Sequence, residues 1–180
     1  MTRFPRSLLI LLFVLGAIAG CSREKSADSE APFRFVVYPG ARSLPQLNAV
    51  TRDANRLLKP GQQDVSGTEI YDTDASLDQV AKFYADSYGY GSIAPDGGHG
   101  LGAVKPPAFR RAGDLQTDQK AIEPLLQKLN LKTDVSKAAG TYEAVEIAAK
   151  TARPQVTIQR PYFDVTTSQV VNRTLILMSR

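Results

Sequence analysis

The stretch 74–89, DASLDQVAKFYADSYG, decides the fold. Leu77, Val80, Ala81, Tyr84 and Tyr88 recur at three- and four-residue intervals, which puts them on one face of an α-helix. Ser76 and Gln79 have the spacing of a capping box, in which the serine hydroxyl accepts from the third backbone amide and the glutamine reaches back. Asp78 adds negative charge in the first turn, where the helix dipole favours it. Gly89 supplies the residue that most easily turns left-handed and ends a helix. Such a helix has one apolar face, and the flanking sequence must supply the surface that buries it.

Upstream, FRFVVY at 33–38 reads as a strand ended by the turn signal Pro39-Gly40. Ser43 and Pro45 then open a second helix, with Leu47, Val50, Ala54, Leu57 and Leu58 near one face until Pro60-Gly61. A second strand spans 65–72. Downstream, residues 89–107 break the pattern, with six glycines between Gly89 and Gly102 and Pro106-Pro107 at the end. Irregular stretches of that length are linkers or functional loops, so 89–102 is the first place to look for activity.

A short helix over 118–130 follows from Ile122, Leu125, Leu126 and Leu129, with Pro124 shortening or kinking it. The period then changes to two at 142–149, 155–164 and 174–178, with Pro161 at an edge or bend. The first of these strands competes with a helical reading, since TYEAVEIAAK is rich in helix formers. The order β-α-β-α-loop-α-β-β-β implies an α+β fold: a single domain with a mainly antiparallel sheet, helices packed against it and a C-terminal β-meander. YPGA at 38–41 with DASLDQVAKFY at 74–84 resembles a recurrent small domain of uncharacterised exported bacterial proteins. That resemblance brings no activity and no functional residues.

Residues 1–21 read MTRFPRSLLILLFVLGAIAGC: Arg3 and Arg6, an apolar run, then small residues, the three parts of an export signal. The apolar run is shorter than the ~20 residues that cross a bilayer. Ile18-Ala19-Gly20-Cys21 resembles the lipobox of bacterial lipoproteins. The resemblance implies a diacylglyceryl group on the Cys21 thiol, cleavage before that residue and acylation of the new amino group. Two or three acyl chains, at ~0.8 kcal/mol per buried CH₂, would hold the chain firmly in a membrane. Ser22, where an aspartate would resemble an inner-membrane retention signal, favours the outer membrane facing the periplasm in a Gram-negative source. Residues 1–20 are thus expected to be the signal peptide, 21–32 a lipidated polar tether and 33–180 the globular domain.

Composition narrows the partners. The formal charge of +4 includes Arg3 and Arg6, so the chain after the leader is near +2, its charges interleaved rather than clustered. A nucleic-acid backbone demands a basic patch, and no such partner is expected. The expected partners are the membrane, through Cys21, and an envelope protein or glycan. Cys21 is the sole cysteine, which excludes an internal disulfide, and with His99 as the sole histidine the common His/Cys zinc sets cannot be built.

Other candidates meet simpler readings. His99, in Gly97-Gly98-His99-Gly100, has the chemistry of a general base, but a solvated loop histidine suffices. Asp72, Asp74 and Asp78 begin like a calcium loop, yet Leu77 stands where glycine is needed and Phe83 where glutamate is needed. Gly89-Tyr90-Gly91-Ser92-Ile93-Ala94 has the letters of a dinucleotide fingerprint but follows a helix rather than a strand. Tyr84, Tyr88 and Tyr90 with Phe83 have the makings of a glycan or peptide groove, although helix periodicity already assigns Tyr84 and Tyr88 to a core. Ser22-x-x-Lys25 lies in the tether, without the companion motifs of penicillin-binding proteins. Asn172-Arg173-Thr174 is a formal sequon that reads as strand and turn. No catalytic, cofactor or metal residue is assigned. The expectation is a noncatalytic envelope lipoprotein that binds or assembles; the alternatives are a hydrolase using His99, or a small-ligand carrier with its site near the loop 89–102.

Overall fold

The computed structural model describes residues 35–58, 67–89, 93–94, 108–148 and 155–179. Their elements are β1 (Arg42–Ser43), α1 (Pro45–Leu58), β2 (Thr68–Thr73), α2 (Leu77–Tyr88), β3 (Ala108–Asp114), α3 (Leu115–Lys128), a 3-10 turn (Val135–Lys137), β4 (Thr141–Ile147), β5 (Gln155–Arg160), β6 (Tyr162–Asp164), β7 (Gln169–Val171) and β8 (Thr174–Ser179). Six strands form one antiparallel sheet in the order β1-β2-β8-β5-β4-β3, and β6 pairs with β7 in a separate hairpin. The fold is α+β. Among the described residues no helix is long and apolar enough to cross a membrane.

Helix α2 forms as its sequence dictates. The Ser76 hydroxyl accepts from the Gln79 amide, the Gln79 side chain accepts from the Ser76 amide, and Gly89 closes the helix at φ 73°. Its apolar face lies on one side of the sheet, over Val145, Ile158 and Ile176, which stand opposite one another on β4, β5 and β8. All three are fully buried, as are Val80, Ala81 and Tyr84 above them. Each large side chain so removed from water contributes about 1.5–3 kcal/mol.

Strand alternation sends the intervening residues to the other face, where α1 and α3 pack. Helix α1 lies against β2 and α3 against β3, the second and last strands in the order, so β8 and β5 run between them. One register row crosses this face from end to end: Arg42, Asp72, Leu175, Gln159, Ala144 and Arg111. That row carries the polar chemistry described below.

Several expectations are corrected. Residues 35–38 of the first expected strand join no sheet: Phe35 and Tyr38 pack on the α2 side, and the Tyr38 amide donates to the Tyr84 hydroxyl at 3.2 Å. Ser43 lies in β1 rather than capping α1, and Leu57 and Leu58 are exposed because the buried face of α1 ends at Asn55. Helix α3 starts earlier than 118, since Asp114 accepts from the Thr117 amide and caps it. It continues past Pro124, which is on the exposed side, where water can satisfy the carbonyl that proline leaves unbonded. Strands β1, β3 and β7 lie outside the expected strands. The segment 141–147 is a strand, and Pro161 marks the bend at which the chain leaves the large sheet for the β6–β7 hairpin. The C-terminal strands β4, β5 and β8 are neighbours, with that hairpin inserted between the last two.

Candidate functional site

Because α1 and α3 stand apart on one face of the sheet, a cleft of about 60 Å³ remains between them. Leu175 and Leu177 of β8 and Ile70 of β2 line it from the sheet, Leu47 and Val50 from α1, and Leu115 from α3. Phe163 and Val165 bring in the hairpin region. A cavity of about 150 Å³ takes benzene, so this smaller space takes only a small group. None of the residues lining it belongs to the described part of the loop 89–102.

Polar groups enter this mainly apolar cleft at Asp118 and Gln119, in adjacent positions on α3, and at Thr51, Gln159 and Tyr162 on the other walls. Asp118 is buried, and its Oδ2 accepts the Tyr142 hydroxyl at 2.6 Å. Arg111 donates in turn to the Tyr142 hydroxyl and to Glu146, and its guanidinium carbon lies 5.3 Å from the Tyr142 ring centroid. Burial pushes the Asp118 carboxyl above its ordinary range; the Tyr142 hydrogen bond and the Arg111 charge oppose that rise without cancelling it. Burial and the bond to Asp118 push the Tyr142 phenol up as well, so its proton stays on the oxygen. The side-chain oxygen of Gln119 is buried without a hydrogen-bond partner.

Gly113 makes this arrangement possible. It stands opposite Tyr142 in the β3–β4 register, and a Cβ there would lie 2.3 Å from the Tyr142 ring. The phenol therefore lies across the bare glycine backbone and reaches Asp118 on the helix that follows.

The other end of the row is a closed ion cluster. Asp72 is fully buried on β2 and receives Arg42 through two nitrogens, Arg173 Nε at 2.9 Å and the Tyr162 hydroxyl at 2.9 Å. Burial alone would raise the Asp72 carboxyl, but the bonds from Arg42 and Tyr162 and the Arg173 charge hold it below its ordinary range. Arg173 also pairs with Asp74, and Arg160 donates to the carbonyls of Asp74, Ala75 and Asn172. These bonds tie β1, β2, β5 and β6 to the connections at Asp74–Ala75 and Asn172–Arg173.

Cys21, Ser22, Lys25, Tyr90 and His99 lie outside the described residues, as do 90–92 and 95–102 of the glycine loop. Asp72, Asp74 and Asp78 are not gathered: the first two share Arg173 and Asp78 pairs with Arg110. Asp78 sits in the first turn of α2 and Ser76 caps it, both as expected. Among the described residues no cluster of three metal-ligating side chains occurs. Tyr84 and Tyr88 are core residues on the face opposite the cleft, with Phe83 edge-on to Tyr84 at 5.1 Å. Asn172, Arg173 and Thr174 are tied into the ion cluster at the start of β8.

Asp118, Gln119, Tyr142, Arg111 and Gly113 were missed by sequence reasoning. One signal was present: Asp118 falls four residues before Ile122 and three after Leu115, so it is a carboxylate in the apolar stripe of α3. Compared with known proteins, the chain matches no family model, no curated protein and no solved structure.

Proposed function

We propose that this protein is a lipid-anchored envelope lipoprotein that acts as a noncatalytic binding module. The anchor rests on the leader of residues 1–21 and its sole cysteine. The binding role rests on one observation: a small apolar cleft whose buried acceptors, Asp118 and Gln119, have unused hydrogen-bonding capacity beside an ionic network that is already engaged. A cleft of that size and lining suits recognition of a small group, since apolar walls supply affinity and a few fixed polar atoms supply selectivity. The Asp72 cluster supports the same reading, because carboxylates locked between arginines brace a fold and are not free to move protons.

Two experiments test the two halves. Intact mass and membrane fractionation should find wild-type protein in membranes with a diacylglyceryl group on Cys21 and without residues 1–20. Cys21→Ser should lack that group and keep its leader or be trimmed elsewhere, and the domain expressed from Ser22 onward should be soluble. Wild type that lacks the group or retains residues 1–20 refutes the anchor. In a strain lacking the protein, wild type and His99→Ala should restore the envelope phenotype equally. Val50→Phe, which fills the mouth of the cleft, should fail to do so with unchanged thermal unfolding. Rescue by Val50→Phe, or a greater than tenfold loss in stably folded His99→Ala, refutes the noncatalytic cleft reading.

A further inference from the structure

The α3 wall of the cleft presents acceptors with unused hydrogen-bonding capacity. Asp118 is 8% exposed, and among the described residues Tyr142 is the one side chain that donates to it, at 2.6 Å on Oδ2. Gln119, next in the chain, holds a buried oxygen with no partner. Arg111 reaches Asp118 only through the Tyr142 hydroxyl and is itself in an ion pair with Glu146. A buried carboxylate without a direct cation, and a buried acceptor without a donor, each cost free energy that an incoming donor recovers. The opposing walls are mainly apolar, Val50, Ile70, Leu175 and Leu177; of the polar side chains that also line them, Thr51, Gln159 and Tyr162, Gln159 donates to the Pro161 carbonyl and Tyr162 to Asp72.

We propose that the cleft is a binding site for a small alkylammonium ion. Its ammonium group donates to Asp118 and Gln119, and its short chain lies against Ile70, Leu175 and Leu177. An ammonium carries three donors on one nitrogen, enough for both acceptors and for a water at the mouth. Anionic ligands are disfavoured by Asp118, and a plain hydrocarbon would leave both acceptors unpaired. The space of about 60 Å³ limits the ligand to a short chain, the end of which lies at the mouth. This inference rests on the binding-module reading but is independent of the lipid anchor.

The test is a titration of the full chain, held in nonionic detergent and labelled at leucine and valine methyls, with n-butylammonium, n-butanol and butyrate. Butylammonium should shift the methyls of Leu47, Val50, Leu175 and Leu177 saturably, with the millimolar affinity proper to so few atoms. Butanol should bind about tenfold or more weakly, because it lacks the charge-assisted bond, and butyrate not at all. Asp118→Asn keeps an acceptor for Tyr142 and should weaken butylammonium about tenfold or more, while Val50→Phe should abolish the shifts. Equal affinity for butanol and butylammonium, unchanged affinity in Asp118→Asn, or no saturable shift up to about 100 mM overturns the proposal. If butylammonium fails to bind while Val50→Phe still loses the envelope phenotype, the ligand class falls and the binding-module reading stands.

Discussion

Replacing Gly113 with alanine strikes the Tyr142–Asp118 pair at its tightest point. The new Cβ would lie 2.3 Å from Cζ and from the hydroxyl oxygen of Tyr142, and 2.6 Å from Cε1. Ordinary carbon contacts fall at about 3.5–4.0 Å, so the ring must lift by about 1 Å or more. The phenol that meets Asp118 at 2.6 Å cannot make that move and keep its acceptor. Overpacking a close fit costs about 1–3 kcal/mol, and removing a donor from a buried carboxylate costs about 1.5–3 kcal/mol. Alanine returns about 0.5–1 kcal/mol, having less backbone freedom to lose than glycine. The expected loss is therefore about 2–5 kcal/mol, read as the shift in a urea unfolding curve followed by circular dichroism. Gly113 does not adopt a positive φ, so the effect is steric rather than conformational. In a Tyr142→Ala background, with the ring gone, the same substitution should be neutral or slightly stabilising. A loss below about 1 kcal/mol in the wild type, or an equal loss in both backgrounds, refutes the reasoning.

The two buried carboxylates should respond to pH in opposite directions. Asp72 is held below the ordinary carboxylate range, so its stabilisation is complete above that range and is lost as pH falls through its lowered value. Asp72→Asn should cost about 2–3 kcal/mol at neutral pH and blunt acid unfolding, short of the full cost of a broken buried pair because Arg42 is 62% exposed and can turn to water; a neutral effect would show the cluster to be ornamental. Asp118 is raised by burial, so the native state holds the extra proton, and stability falls as pH rises from the ordinary range through the raised value. Asp118→Asn should remove that fall, unfolding at the same or a higher urea concentration than wild type at pH 7. That advantage should vanish near about pH 3, where both forms are uncharged; a less stable variant at pH 7 contradicts the assignment.

The sequence by itself determined helix α2 in full. Periodicity, capping box and terminal glycine are all local, and they agree without help from the rest of the chain. It also determined the strand character of β5 and β8, the turn at Pro161 and the α+β class, because alternating apolar residues have no other good use at these lengths. The proposed leader and the proposed lipidation of Cys21 rest on residue order alone, since export chemistry reads a linear motif.

Tertiary structure decided the rest. AFRRAGD carries two arginines and a glycine and has no strand signature of its own, yet it is β3, fixed by pairing along its whole length with β4. FRFVVY has strong strand character, yet its described part stays outside the sheet, held by Tyr84 and the α2 face. The cleft depends on residues from both ends of the described chain, from Leu47 to Leu177, and its polar wall on Gly113 standing across from Tyr142. No local pattern encodes such a meeting, because it is set by strand register and by where two helices stop short of each other on one sheet. The carboxylate in the stripe of α3 was visible in the sequence, but only the fold gives it a tyrosine on one side and an unfilled apolar space on the other.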